Sequence, residues 1–289
     1  MKDCILRALT GDGAIRAFAA VTTNMVENAR KTHALSPTMT AALGRTLTAC
    51  AMMGCMLKND GESVSIQIDG HGPGGRIITL SDSHANVKGY ADNPICELPL
   101  KNGKLDVGGA VGKDGFFGIV RDYGMKECYT GKVELVSGEI GEDLAQYFAQ
   151  SEQIPSVVAL GVLVDTDCSV KAAGGLIVQV MPNATDEQIT ALEKMAASLS
   201  PMTTIISEGG TADDILATAL SPFESYTFET LETKYKCDCS LDRIKRAVAS
   251  LGRKEIEDII KTQGAAELTC HFCNTKYSLS KEELEELIG

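Results

Sequence analysis

From Glu62 apolar and polar residues alternate one for one, with Val64, Ile66 and Ile68 set against Ser65 and Gln67, the period of a half-buried strand. Upstream the period differs. Leu43, Leu47, Ala51 and Met52 recur at helical spacing behind Ser36-Pro37. Ser36 offers a cap and Pro37 has no N–H to leave unsatisfied, so the pattern predicts a buried helix to about residue 57. Before it, apolar runs at 5–8 and 14–21 flank Gly11-Asp12-Gly13, which reads as a hairpin turn. Further strands are predicted at 76–80, 86–91, 116–121, 132–136, 157–164 and 169–180, with a helix at about 142–150. Hairpins with few regular strand–helix alternations indicate an α+β domain, antiparallel-rich, rather than a doubly wound parallel sheet.

After Met181-Pro182 the pattern turns helical. Thr185 and Gln188 form a capping box, and Ile189, Leu192, Met195 and Leu199 give one apolar stripe. Ser200-Pro201, Gly209-Gly210 and Ser221-Pro222 then punctuate short helical pieces up to about residue 236, as expected of a connecting region. Beyond it, Ser240 caps a helix that Gly252 ends, a second helix covers about 254–263, and Ser280 with Glu283 opens a terminal helix. Residues 267–277 read as a small hairpin. The expected organisation is an α+β domain over 1–181, a helical linker over 182–236 and a small C-terminal module over 237–289.

At 289 residues and 44% hydrophobic, the chain has material for a large core and about two domains. The opening MKDCILRALTGDG lacks the basic start and apolar run of a secretory signal, and no stretch approaches about eighteen uninterrupted apolar residues. A cytoplasmic protein without membrane association is therefore expected. In that reducing compartment ten cysteines point to metal or redox chemistry rather than to a disulfide framework. A net charge of −12 disfavours phosphate backbones and hence nucleic acid as a partner.

The cysteines that carry a pattern are Cys237-Asp-Cys239 and, thirty residues on, Cys270-His-Phe-Cys273. Two close thiolate pairs joined by a loop long enough to let them converge make up the donor set of a tetrahedral structural Zn²⁺ site. His271 is a bystander, since the cysteines already complete four-coordination. Residues 237–289 hold eight Lys and Arg against ten Asp and Glu, a local charge of −2, which argues against a nucleic-acid zinc finger. A module this small has little core, and structural zinc is worth roughly 10–16 kcal/mol in zinc peptides. Thiolate is also the form oxidants attack, so such a site can couple oxidation to metal loss and unfolding. The residues by themselves leave a purely structural zinc and a redox switch both open.

The C-x-C, thirty residues, C-x-x-C pattern resembles the zinc site of the redox-regulated heat-shock holdases called the 33 kDa chaperonin family. The resemblance extends through Gly70-His71-Gly72-Pro73-Gly74-Gly75, Tyr129-Thr130-Gly131, Ser137-Gly138-Glu139-Ile140 and Ser151-Glu152-Gln153-Ile154-Pro155-Ser156, and covers nearly the whole chain. It implies a reduced, zinc-loaded, inactive state in which Cys237, Cys239, Cys270 and Cys273 are the metal ligands. It further implies that oxidation joins Cys237 to Cys239 and Cys270 to Cys273, releases zinc, and unfolds the module with the linker. Such proteins are not enzymes. They bind unfolding client proteins without ATP, dimerise when active, and pass clients to ATP-dependent foldase chaperones. Cys4, Cys50, Cys55, Cys96, Cys128 and Cys168 lie outside this pattern and are expected to be mostly buried small hydrophobes.

Other signals carry less. Gly70-x-Gly72-x-x-Gly75 has the letters of a dinucleotide fingerprint, but Pro73 and a strand-like run follow where a helix must begin. Gly108 to Lys113 is too short for a phosphate loop, and Asp114 stands where Ser or Thr would hold Mg²⁺. His33, His71, His84 and His271 form no catalytic grouping. A thiol–disulfide oxidoreductase using Cys270 and Cys273 would need them at a helix N-terminus rather than in a hairpin.

Overall fold

The computed structural model of the chain describes residues 2–223 and 225–288. They form two compact units, Met1–Tyr235 and Lys236–Gly289. In chain order the larger unit contains β1 (Cys4–Thr10), β2 (Ile15–Val21), α1 (Thr23–His33), α2 (Pro37–Gly54), β3 (Ser63–His71), β4 (Ile77–Asp82), β5 (Asn86–Ala91), α3 (Val107–Val111), β6 (Gly112–Asp122) and β7 (Tyr129–Glu134). It continues through α4 (Gly141–Tyr147), β8 (Ser156–Val164), β9 (Val170–Val180), α5 (Asp186–Ser198), α6 (Met202–Ser207), α7 (Ala212–Leu220), β10 (Tyr226–Glu232) and β11 (Lys234–Tyr235). The smaller unit holds α8 (Leu241–Ala249), α9 (Arg253–Thr262), β12 (Ala266–Thr269), β13 (Lys276–Leu279) and α10 (Lys281–Glu286).

The strands of the larger unit make two sheets, ordered β10-β1-β2-β9-β8 and β11-β5-β4-β3-β6-β7. Among the described residues every strand pairing of these sheets is antiparallel except β11 beside β5, which bears out the α+β reading. Helix α2 packs against strands of both sheets and is buried along almost its whole length. Its threonines would be costly there without partners. Thr40, Thr46 and Thr48 each turn a hydroxyl back to the carbonyl four residues earlier, at 2.9 Å, so a polar sequence becomes an apolar rod. Ser36 behaves differently from expectation: its hydroxyl donates to Cys96 O at 2.9 Å and accepts from Cys96 N at 3.1 Å instead of capping α2. Pro37 still opens the helix.

The glycine-rich run after β3 is the turn expected, with β4 and no helix behind it. Gly72 N and Gly74 N donate to Val111 O and Ala110 O at 2.9 and 2.8 Å, so the turn is docked on α3 by its backbone. A Cβ on Gly72 would stand 2.4 Å from Ala110 O, so only glycine fits. The Ser137–Ile140 stretch has a similar structural use. Buried Asp143 accepts from the backbone N–H of Val136, Ser137 and Ile140, while Glu139 pairs with Arg45 at 2.7 Å.

Residues 182–235, read from sequence as a helical connection, pack as part of the larger unit. Leu192, Met195, Met202, Ile206, Ile215, Leu216 and Leu220 are buried against Leu6, Ala17, Ala19, Leu176 and Val178 of the first sheet, on the face opposite α2. The stretch also ends in strands, not helix. β10 adds to the free edge of β1 and β11 lies beside β5, where Thr233 donates to Ala85 O at 2.7 Å and Tyr235 to Gly89 O at 2.8 Å. Among the described residues no helix is long and apolar enough to cross a membrane.

Candidate metal centre

All four patterned cysteines lie in the smaller unit. Antiparallel β12 and β13 pair Ala266 with Leu279 through Thr269 with Lys276, leaving residues 270–275 as the turn. The turn is wound by its own backbone: Cys270 N donates to Thr275 O at 2.9 Å, and Cys273 N and Asn274 N both donate to Cys270 O. Asn274 takes the left-handed conformation at φ 56, one of the few positions a non-glycine tolerates there. This winding puts the Cys270 and Cys273 side chains on one side. Cys237 and Cys239 arrive just ahead of α8, whose first turn is capped by Ser240 accepting from Arg243 N, with Arg243 paired to Asp238.

The sulfurs of Cys237, Cys239, Cys270 and Cys273 lie within 4.8 Å of one another. Cys237 Sγ is 3.8 Å from Cys270 Sγ, and Cys239 Sγ is 3.3 Å from Cys273 Sγ. A tetrahedral ion with Zn–S bonds of about 2.3 Å spaces its sulfurs about 3.8 Å apart. The donor set therefore fits a tetrahedral thiolate-bound metal in number and type, and its sulfurs are close enough together to share one ion. His271 is exposed and outside the group.

The environment separates the four thiols. Burial raises the Cys237 and Cys270 pKa values. At Cys273 burial acts the same way, but hydrogen bonding with the Thr275 hydroxyl and backbone N–H and with the Cys239 and Cys270 thiols prevails and brings it down to about 7. The Tyr277 hydroxyl lies 3.0 Å from Cys239 Sγ, and this hydrogen bond is the main cause of its rise to about 12. Sequence reasoning passed over Thr275 and Tyr277. The signal that could have found them is nearness in sequence: both follow Cys273 within four residues, where the turn returns the chain into β13 beside the sulfurs.

The core of this unit is small. Among the described residues its buried apolar side chains are Val248, Ile256, Leu279 and Leu284, with Ile244, Ile259, Ile260 and Leu268 among those packed around them. A metal bridging the start of α8 to the β12–β13 turn would join its two halves.

The sequence profile of the Hsp33 protein family matches residues 3–280, a span that includes all four cysteines. The chain belongs to the Hsp33 protein family. Among proteins similar to it, the 33 kDa chaperonin of Clostridioides difficile is 48% identical over 289 residues, covering 100% of this chain and 99% of its own. That of Alkaliphilus metalliredigens is 47% identical over the same length and coverage. The crystal structure of the 33 kDa chaperonin, or heat shock protein 33 homolog, of Thermotoga maritima matches with a TM-score of 0.91 at 41% identity, covering 99% of this chain and 98% of that one. The Hsp33 likeness thus extends to the fold of the whole chain.

The remaining cysteines of this Hsp33 protein do not behave as one class. Cys50, Cys55 and Cys96 are buried, Cys4 is half-buried, and Cys128 and Cys168 are exposed, so the expectation that most are core residues holds for only three. Burial pushes Cys50 and Cys55 up to about 12 and keeps them as inert thiols. The other histidines stay apart: His33 meets Tyr235, His71 meets Asp114 O, and His84 lies near Asp60.

Proposed function

We propose that this Hsp33-family chain is a cytoplasmic, redox-regulated, ATP-independent holdase that keeps unfolding client proteins from aggregating under oxidative and heat stress. The observation that carries the reading is the convergence of the Cys237, Cys239, Cys270 and Cys273 sulfurs to within 4.8 Å of one another in a unit of small core. In the reduced chain these four thiolates hold one Zn²⁺, because soft sulfur donors in a closed tetrahedral array suit that ion. When bound, it supplies a crosslink, and with it folding energy that the few buried side chains of the unit do not provide.

Oxidation removes the donors. As the family resemblance implies, Cys237 joins Cys239 and Cys270 joins Cys273. Each new S–S bond releases two electrons, and one hydrogen peroxide takes them with two protons to leave two waters. Without thiolates the ion has no site, and residues 237–289 unfold. In this division of labour 1–181 is the chaperone body and 182–236 a linker that releases its apolar side.

That side is well held in the folded state. Leu192, Met195, Met202, Ile206, Ile215, Leu216 and Leu220 each contribute about 1.5–3 kcal/mol of burial. Oxidation alone leaves these contacts in place, so release of the linker needs warmth as well. Once released, the same Met- and Leu-bearing helices offer an adaptable apolar surface to clients. Dimerisation of the active form and hand-over to ATP-dependent foldases follow from the family resemblance. Nucleic acid is disfavoured by the net charge of −12.

The test is to follow bound metal, free thiols and light scattering by a chemically unfolded protein, before and after peroxide at raised temperature. One zinc per chain, loss of four thiols with disulfide peptides Cys237–Cys239 and Cys270–Cys273, and suppressed scattering only after oxidation are expected. A metal-free reduced protein, or holding that does not depend on oxidation, would sink the reading.

A further inference from the structure

Thr275 and Tyr277 stand two residues apart where the hairpin turn enters β13, and their hydroxyls reach two of the four sulfurs. Tyr277 Oη is 3.0 Å from Cys239 Sγ, a sulfur 38 positions away in sequence, and Thr275 Oγ1 is 3.2 Å from Cys273 Sγ. Cys237 and Cys270 receive backbone N–H groups from Cys239 and Phe272, and their side-chain partners are other sulfurs. Among the described residues each expected disulfide pair therefore contains one sulfur with an added hydroxyl and one without. Cys239 has the hydroxyl that Cys237 lacks, and Cys273 the one that Cys270 lacks.

We propose that the hydroxyls of Tyr277 and Thr275 make each cysteine pair unequal, leaving Cys237 and Cys270 to attack the oxidant and Cys239 and Cys273 to resolve it. The inference rests on the four sulfurs being a metal site. In the loaded site every sulfur is a thiolate, so the pairs are distinguished by how freely each sulfur can donate electrons. A hydroxyl donating to a thiolate forms a charge-assisted hydrogen bond that draws density from the sulfur, weakening it as a nucleophile.

The electrons balance in two steps. Cys237 or Cys270 attacks one peroxide oxygen: the S–O bond forms, the O–O bond breaks, and hydroxide leaves to become water with a solvent proton. The hydroxyl-bonded partner then attacks the sulfenic sulfur: the S–S bond forms, the S–O bond breaks, and a second hydroxide is protonated to water. Two sulfurs have lost two electrons to one peroxide.

Tyr277 is thus a positioning residue, and Tyr277→Phe keeps the ring while removing the donor. The full-length reduced chain, loaded with zinc or cobalt, is exposed briefly to peroxide with a sulfenic-acid trap, and the adducts are mapped by mass spectrometry. In the parent the adducts should fall on Cys237 and Cys270. Tyr277→Phe should add Cys239 to the trapped set and speed metal release about tenfold, the scale on which outer-shell partners act. Thr275→Val should do the same at Cys273. In the cobalt form, Tyr277→Phe should shift the sulfur-to-metal charge-transfer band to lower energy while the tetrahedral d–d bands stay, a change that loss of packing alone would not produce. Trapping first at Cys239 or Cys273 in the parent, or unchanged adducts, rate and spectrum in both variants, overturns the inference and leaves the metal site standing. A parent that binds no metal overturns both. Should Tyr277→Phe fail to fold, Thr275→Val decides at the other pair.

Discussion

Glu27 ties α1 to the start of β9. Its carboxylate accepts from Nε and Nη2 of Arg30, each at 2.8 Å, from Lys31 at 3.2 Å and from the backbone N–H of Val170 at 3.0 Å. The Arg30 hydrogen bonds, with Val170 and Lys31 outweighing burial, hold its pKa at about 2, below the ordinary 4.5. Because the folded value is the lower one, the stabilisation is complete above about pH 4.5 and is lost as pH falls toward 2. Glu27→Gln should therefore destabilise the larger unit by about 1.5–3 kcal/mol at pH 7, the value of hydrogen bonds to a charged group. The gap to the parent in urea unfolding should narrow as pH drops from 4.5; a constant gap would mean the charge does not matter. Residue-scale features of this kind were the least legible in sequence. Ser36 looked like a cap but bonds Cys96, because a hydroxyl takes whichever partner the tertiary fold brings. Cys168 sits in a turn at φ 67 and Cys128 in the loop after β6, places where composition says nothing about exposure.

Elements were legible where periodicity reports burial. The hairpin of β1 and β2, the rod α2, the alternating β3 and the capping boxes at Thr185 and Ser280 appear where the pattern puts them. Of the elements the pattern did not mark, α1 and β10 escaped for identifiable physical reasons. α1 buries only Met25, Val26, Ala29 and His33 in an otherwise polar run, a stripe too thin to stand out. β10 is an edge strand whose residues 227–230 are exposed; it is held by its backbone ladder to β1, so side-chain alternation carries no buried face to detect. The glycine-rich turn shows the opposite case, a motif whose letters suggest a cofactor and whose context makes it a backbone dock. Gly72→Ala would drive its Cβ against Ala110 O and the carbonyl carbon of Val111, both at 2.4 Å, and backbone cannot swing aside as a side chain can. The variant should lose about 1–3 kcal/mol of thermal or urea stability with its metal content unchanged. A neutral effect would show that the turn can lift off α3.

At the scale of the molecule, the two units differ in what holds them. The larger has α2 enclosed by two sheets and a second apolar cluster under α6 and α7. The smaller has a handful of buried side chains and four convergent sulfurs, a motif plain in the sequence because paired spacing survives without knowledge of the fold. A core of that size is marginal alone, while a tetrathiolate metal is worth roughly 10–16 kcal/mol. On the proposed zinc-bound state, a chelator under reductant should therefore melt one unit and spare the other. By hydrogen exchange, amides of 236–288 should lose protection while those of α2 and both sheets keep it. Retained protection in 236–288 would mean that its core suffices and that the sulfurs are not its staple. Peroxide with heat should additionally expose α5, α6 and α7, whose apolar burial on the first sheet is expected to hold through metal loss and to yield only on warming. Loss of α5–α7 on chelation alone would instead make the metal the only latch, and would remove the need for warmth from the mechanism.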